Sequence, residues 1–64
     1  MKFSELKKLL RKNGCYFCEE GRKHEKWYST KTGKYFRVGR HKNQEVKKGT
    51  LNNILTDAGI ELQK

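Results

Sequence analysis

The sequence predicts an α+β fold in which two helices cover one face of a three-stranded antiparallel sheet, in the order α-β-β-β-α. Two observations carry this prediction. Apolar residues recur at three- and four-residue spacing near both ends of the 64-residue chain, whereas the middle alternates in polarity and contains a glycine turn. A chain of this length can bury one small core, so residues 1–64 are expected to form a single domain.

The first element is predicted to be a helix that ends at Asn13-Gly14, because a glycine after asparagine is a typical helix stop. Ser4 is placed as the N-cap of this helix. The apolar side chains form one stripe, which consists of Phe3, Leu6, Leu9 and Leu10. The basic side chains are placed on the opposite side, towards solvent: Lys7, Lys8, Arg11 and Lys12.

Three strands are predicted next, over Cys15–Glu20, His24–Thr30 and Lys34–Val38. The last two flank Lys31-Thr32-Gly33, a short connection suited to a hairpin. Alternation places three apolar side chains towards the core, namely Trp27, Phe36 and Val38. The other face stays open and carries His24, Lys26, Tyr28, Tyr35 and Arg37. Glu25 shares the side of Trp27, so we do not pair it with His24.

The last element is predicted to be a helix of about ten residues that follows a polar loop over residues 39–49. Thr50 or Gly49 is expected to cap it. Its buried side chains are spaced at helical intervals and are Leu51, Ile54, Leu55 and Ala58. Gly59 is expected to end the helix and Ile60 to fold back onto it.

The charge of the chain points to a polyanionic partner. The formal net charge is +9, and residues 22–48 alone hold ten Lys or Arg against two Glu, which gives them a net charge of +8. Aromatic residues lie between these cations, as on surfaces that bind nucleic acid. A lysine-rich surface that only keeps the protein soluble remains an alternative. A membrane is disfavoured, since no apolar run could span a bilayer and no basic amphipathic helix carries bulky anchors.

The two cysteines predict neither a disulfide framework nor a metal site. Cys15 and Cys18 with His24 and His41 would supply four ligands, but this spacing matches no standard zinc finger. Positions three apart in a strand also point to opposite faces. We therefore expect two reduced cysteines, one in the core and one near the surface, and no metal or other cofactor. The N-terminus has no signal-peptide pattern, so a cytoplasmic location is expected.

His24 is the candidate catalytic residue, because histidine is the side chain that exchanges protons near neutral pH. RNA carries its own nucleophile, the 2′-hydroxyl, and cations can stabilise the charge of a phosphorane without a metal. Phosphate contacts are assigned to Lys23, Lys26, Arg37 and Arg40, and base contacts to Tyr28 and Tyr35. His41 is assigned an RNA contact, with proton transfer to the leaving oxygen as the alternative. The alternative is that His24 has only a structural role, as is common for a histidine at the start of a strand.

Four runs of residues resemble the HicA toxins of bacterial toxin–antitoxin systems. These runs are Gly21–Trp27, Gly33–Val38, Arg40-His41 and Lys48–Ile60, which ends in Ala58-Gly59-Ile60. The resemblance implies a ribosome-independent mRNA interferase with a fold like that of double-stranded-RNA-binding domains, kept silent by a HicB antitoxin on its catalytic face. The catalytic histidine of the family corresponds to His24. Two departures are Arg22-Lys23, where many relatives have a small residue or second glycine just before the histidine, and Val38-Gly39, where they often have Val-Pro.

Two other functions fit parts of the pattern. A non-catalytic module would bind structured RNA, although such domains are longer and have a more basic second helix than Lys47-Lys48 provide. A protein–protein adaptor with incidental charge would show no salt-dependent RNA binding.

Overall fold

The computed structural model describes residues 1–41 and 43–61, and these follow the predicted order α-β-β-β-α. Lys42, which the charge count includes, and residues 62–64 lie outside the described part. The elements are α1 (Phe3–Lys12), β1 (Cys15–Glu20), β2 (His24–Ser29), β3 (Tyr35–Gly39) and α2 (Lys48–Ala58). The strands form one antiparallel sheet in the order β1-β2-β3. The predicted α+β fold is confirmed.

The core lies between the two helices and one face of the sheet, as the alternation of β2 and β3 predicts. Trp27 and Val38 have no solvent exposure, and Phe36 is also buried. They pack in one cluster with side chains of both helices, which include Leu6, Leu10, Ile54 and Leu55. Each such side chain contributes on the order of 2 kcal/mol by leaving water. Both helices therefore cover the same face, and the other face of the sheet is open.

Ser4 does not cap α1, which begins one residue earlier than the predicted cap. Lys2 occupies the cap position in an extended conformation, and its N–H donates to the Glu5 carboxylate at 2.9 Å. The N–H of Phe3 donates to the carbonyl of Gln44 at 3.1 Å. The Glu5 carboxylate thus satisfies the amide of the cap residue, and a distant loop satisfies the first amide of α1, so that neither needs a serine cap.

Lys7 is buried, whereas the sequence placed it on the solvent side of α1. Its Nζ lies 3.1 Å from Oε1 of Glu25, and the two side chains are only 7% and 17% exposed. The same Glu25 oxygen accepts a hydrogen bond from Trp27 Nε1 at 3.0 Å. A buried ammonium group is tolerated where a carboxylate faces it. Because this carboxylate lies on β2, the helical periodicity of α1 does not predict the contact.

The second helix starts earlier than predicted, and neither Thr50 nor Gly49 caps it. Its cap position is Lys47, which follows the buried Val46, and no side chain caps the first turn. The C-terminus agrees with the sequence. Gly59 has φ +76°, and the N–H of the next residue, Ile60, donates back to Leu55 at 2.9 Å. This is the Schellman closure, which favours glycine because other residues rarely adopt a left-handed conformation.

The strand bounds differ from the predicted ones by one residue at three strand ends. Thr30 leaves β2 because its N–H and hydroxyl both donate to the carbonyl of Gly14, at 3.3 and 2.8 Å. The third strand runs to Gly39 and begins at Tyr35, one residue later than predicted. The first strand has the predicted bounds but contains a β-bulge between Phe17 and Glu19, which the alternation did not reveal.

The helices are short relative to a bilayer. Neither α1 nor α2, the two helices of the described residues, has the length and apolar character needed to span a membrane.

Candidate functional site

His24 is the first residue of β2 and is exposed on the open face of the sheet. It lies opposite Gly39 of β3, and its carbonyl accepts a hydrogen bond from the N–H of Gly21 at 2.8 Å. A Cβ added to Gly21 would lie only 2.7 Å from that carbonyl oxygen. The backbone of His24 is therefore held on both sides, by a neighbouring strand and by a close glycine turn, while its imidazole faces solvent.

His24 stands between two open depressions that are rich in basic side chains. The first runs along the sheet, and its lining includes Arg22, Lys23, Lys26, Tyr35 and Arg37, together with the acidic residues Glu19 and Glu25. The second lies towards the start of α2, and its lining includes His41 and Lys47. Lys23, His24 and Arg37 line both depressions. Most of the predicted site residues thus meet around one imidazole, and a polyanion lying across His24 would meet cations on either side.

Arg40 is part of this region, but its guanidinium is engaged with the chain itself. Its Nη2 lies 2.7 Å from Oε1 of Glu20, and its Nη1 donates to the carbonyls of Arg22 at 3.0 Å and of Gly21 at 3.3 Å. These partners belong to the turn that leads into His24. Arg40 therefore holds this turn in place, and its guanidinium is already bound to groups of the chain instead of being free to bind phosphate.

Lys26 and Glu19 form the next row of the open face, together with Arg37. The bulge in β1 shifts the register so that Glu19 lies opposite Lys26 and its carboxylate is 3.9 Å from Lys26 Nζ. Arg37 lies opposite Lys26 on the other side, and no carboxylate contacts it among the ion pairs of the described residues. Both cations are exposed, so they remain available to a phosphate.

Three tyrosines form a further row across the open face. Tyr16, Tyr28 and Tyr35 lie opposite one another on the three strands. The ring centroids are 5.5 Å apart in the first pair and 4.9 Å in the second, with interplanar angles of 50° and 55°. Desolvation raises the pKa of the Tyr16 phenol above its ordinary value of 10.0, and repulsion from Cys18 and the other two tyrosines adds to the shift. The Tyr16 phenol is therefore uncharged at neutral pH.

Two carboxylates on the strands next to His24, those of Glu25 and Glu20, bind other partners. Glu25 lies towards the helices, where it binds Lys7 and Trp27, and Glu20 binds Arg40. The sequence-based decision not to pair Glu25 with His24 as acid and base agrees with this placement.

The two cysteines have the predicted difference in exposure. Cys15 is buried in the core, Cys18 is exposed, and both are free thiols. Over residues 1–41 and 43–61, no three His, Cys, Asp or Glu side chains come together as a metal site would require.

Several residues of this face were missed by the sequence analysis. Arg22 and Lys47 line the depressions, and Tyr16 extends the tyrosine row. Alternation from the buried Cys15 would have placed Tyr16 on the open face, so the signal was present. The position of Glu19 had no such signal, because it depends on the bulge.

A match to a protein-family model assigns the chain to a family. The model of the HicA toxin of bacterial toxin–antitoxin systems matches residues 3–60, nearly the whole chain. The chain belongs to the HicA toxin family. Membership in it makes this HicA-family chain the toxin of a toxin–antitoxin pair and implies an antitoxin partner. No curated protein and no solved structure matched the chain, so the assignment rests on the family model and on the residues described above.

Proposed function

We propose that this HicA-family toxin is a ribosome-independent mRNA interferase, an endoribonuclease whose general base is His24. The observation that carries the proposal is the exposure of His24 between two basic depressions, with its backbone fixed on both sides. An exposed imidazole can reach the 2′-hydroxyl of a bound strand, and the surrounding cations supply the attraction for its phosphates.

The proposed reaction uses the nucleophile that RNA provides. The His24 imidazole takes the proton from the 2′-hydroxyl, and the 2′-oxygen forms a bond to the adjacent phosphorus. The bond from phosphorus to the 5′-oxygen breaks, and that oxygen receives a proton from the imidazolium, from His41 or from water. The products are a 2′,3′-cyclic phosphate and a 5′-hydroxyl. No oxidant, metal or other cofactor enters this balance.

The remaining side chains have the roles that their positions support. Lys23 and Arg37 line both depressions and would stabilise the charge that develops on the phosphate next to His24. Lys26 would bind a neighbouring phosphate, and Tyr28 and Tyr35 would contact bases. Arg40 contributes through its hold on the turn before His24.

The partner expected in the cell is a HicB-type antitoxin that covers the face around His24. Such a protein would offer acidic side chains to this basic surface and block access to the imidazole. Both proteins and the mRNA would meet in the bacterial cytoplasm.

The first test is expression in a bacterial host, with growth and total mRNA followed over minutes after induction. We expect arrest and mRNA loss with the wild-type chain and neither with His24→Ala. Lys12→Gln is the matched control, because it removes a cation from the exposed side of α1 and should leave toxicity intact. Equal toxicity of wild type and His24→Ala would refute catalysis by His24.

A non-catalytic RNA-binding module is the second candidate, and one observation favours it. Glu25 and Glu20 bind Lys7 and Arg40, and among the hydrogen bonds and ion pairs of the described residues none joins a carboxylate to the His24 imidazole as in a catalytic pair. This candidate predicts that His24→Ala binds RNA and affects cells as the wild type does.

A further inference from the structure

The open face has three successive rows of side chains, and the tyrosine row is the one farthest from His24. The middle row contains Lys26, and the last one contains His24 itself. Tyr28 and His24 are four residues apart on β2 and point to the same side, so they are about 13 Å apart along the strand. A polyanion long enough to pass both depressions would extend over the tyrosines.

The rings of this row are exposed to an unusual degree for aromatic side chains. Tyr16 is 51% exposed and Tyr35 is 59% exposed, whereas Tyr28 between them is half-buried. The row thus leaves ring surface of both outer tyrosines open to solvent, and the helices of the described chain lie on the opposite face. Cross-strand packing alone does not require this exposure, since the aromatic pairs of the described residues join each outer ring to Tyr28 only.

The charge around the row indicates the chemistry of the missing partner. Lys26 Nζ lies 4.4 Å from the centroid of the Tyr35 ring, and Lys34 precedes that tyrosine in the sequence. The partner should therefore combine flat aromatic surfaces with negative charge. A single RNA strand has both, because its unpaired bases can stack on side-chain rings while its phosphates meet cations. In a duplex the base faces are covered by neighbouring base pairs.

We propose that Tyr16, Tyr28 and Tyr35 form a stacking platform that binds unpaired bases and makes the protein selective for single-stranded RNA. The stacked bases lie roughly four nucleotides from the phosphate at His24 if the strand keeps the 3.4 Å rise of a stacked chain, and fewer if it is extended. This proposal rests on the proposed ribonuclease function for the identity of the polyanion. It adds that the bound RNA is single-stranded and that Tyr16 is a further binding residue.

The test measures RNA binding in the His24→Ala background, so that cleavage does not interfere. The probes are a fluorescent unstructured 12-mer RNA and the duplex that it forms with its complement, each titrated at several salt concentrations. Tyr16→Leu removes the ring but keeps an apolar side chain, and Tyr16→Phe is the matched control. Arg37→Gln serves as the control for a lost charge.

Stacking and charge contacts change different quantities. We expect Tyr16→Leu to weaken binding of the single strand at least about fivefold, with the same salt dependence and no change for the duplex. Tyr16→Phe should stay within about twofold of the parent. Arg37→Gln should lower the slope of log affinity against log salt by about 1. Equal affinities of Tyr16→Leu and its parent for the single strand would overturn the proposal, as would equal losses for both probes.

A second measurement avoids the possibility that Tyr16→Leu is misfolded. Abasic nucleotides are placed one at a time in the 12-mer, and binding to the His24→Ala protein is measured. One or two positions should lose affinity, and Tyr16→Leu should no longer distinguish them from the other positions. If no position is sensitive, the platform does not exist.

The two proposals fail separately. If wild-type protein cleaves nothing but the platform results hold, the ribonuclease function fails and the platform stands. If cleavage depends on His24 but Tyr16→Leu binds RNA normally, only the platform fails. Loss of antitoxin binding in Tyr16→Leu with normal RNA binding would assign the row to the protein partner and overturn the proposal.

Discussion

The Arg40 guanidinium at the end of the third strand lies 2.7 Å from the Glu20 carboxylate at the end of the first strand. The same side chain donates to the carbonyls of Gly21 and Arg22, which begin the turn before His24. These three contacts from one planar guanidinium hold the turn in place against the ends of the two strands. The relationship connects two edge strands through the segment that presents the proposed general base.

Replacing Arg40 by lysine should reduce catalysis without unfolding the protein. A lysine keeps the charge but cannot make the forked contacts, so the turn and His24 become less well placed. We expect kcat to fall on the order of tenfold, while the free energy of unfolding changes by less than about 1 kcal/mol, as for other exposed ion pairs. Single-turnover cleavage and urea unfolding measure the two quantities.

Glu20→Gln is the companion variant, because it keeps an oxygen that can accept from Arg40. It should retain more activity than Arg40→Lys. If Arg40→Lys instead leaves kcat unchanged and only weakens RNA binding, Arg40 is a phosphate ligand, as the sequence analysis assigned it.

Removing one partner of the buried pair of Lys7 and Glu25 should be strongly destabilising, because the other charge is left unpaired. Lys7→Met leaves the Glu25 carboxylate without its cation in a largely buried position, where Trp27 is the one remaining donor among the described residues. We expect a loss of about 3 kcal/mol in the free energy of unfolding. Lys7→Met with Glu25→Gln should recover part of this loss, because the amide oxygen accepts from Trp27 without carrying a charge.

Lys8→Met is the control for this pair, since Lys8 is exposed on the same helix and should change stability by no more than about 0.5 kcal/mol. Urea unfolding monitored by Trp27 fluorescence gives the free energy of unfolding of the wild type and of the three variants. An equal effect of Lys7→Met and Lys8→Met would show that the buried pair does not contribute as described.

Two glycine positions should respond to alanine in opposite directions. At Gly21 the added Cβ lies 2.7 Å from the carbonyl oxygen of His24, a rigid backbone atom. We expect Gly21→Ala to cost about 1–3 kcal/mol and to lower cleavage, because the turn must move. At Gly49, in the first turn of α2, no heavy atom of the described residues lies within 4 Å of the added Cβ. Gly49→Ala should stabilise the protein by up to about 1 kcal/mol and leave cleavage unchanged.

Thermal unfolding and a cleavage assay on both variants check this contrast. Full activity of Gly21→Ala would mean that the close approach to His24 is not needed to place it.

The Tyr16 phenol should ionise at a higher pH than an ordinary tyrosine. The folded-state pKa of Tyr16 is raised above 10.0, so its contribution to stability is fully present below pH 10.0 and is lost as pH rises through the folded pKa. The unfolded chain ionises first in that range, which favours unfolding. In an alkaline absorbance titration of the folded protein, Tyr16→Phe should remove a component that titrates above pH 10.0. Loss of a component at or below pH 10.0 would contradict the assigned environment.

The sequence alone predicts the parts of the fold that follow from local periodicity. The core positions of β2 and β3, the Asn13-Gly14 stop and the Gly59-Ile60 closure are read correctly because each depends on neighbours within a few residues. Exposure of His24 on the open face follows from the same alternation.

The failures have a common physical origin in contacts between distant segments. Ser4 is not a cap because the carbonyl of Gln44 satisfies the start of α1, and Lys7 is buried because Glu25 faces it from the sheet. The position of Glu19 depends on a bulge that local alternation does not mark. Arg40 looks like a phosphate ligand in the sequence, since nothing there shows that the turn before His24 lies within its reach.

The most direct test of the account is cleavage by the purified toxin of one RNA and of the same RNA with a single 2′-deoxynucleotide at the mapped cleavage site. We expect wild-type protein to cut the all-ribose RNA to a 2′,3′-cyclic phosphate and a 5′-hydroxyl and to leave the 2′-deoxy site intact. His24→Ala should cut neither RNA. Cleavage at the 2′-deoxy site by the wild type, or of the all-ribose RNA by His24→Ala at the wild-type rate, would contradict this mechanism.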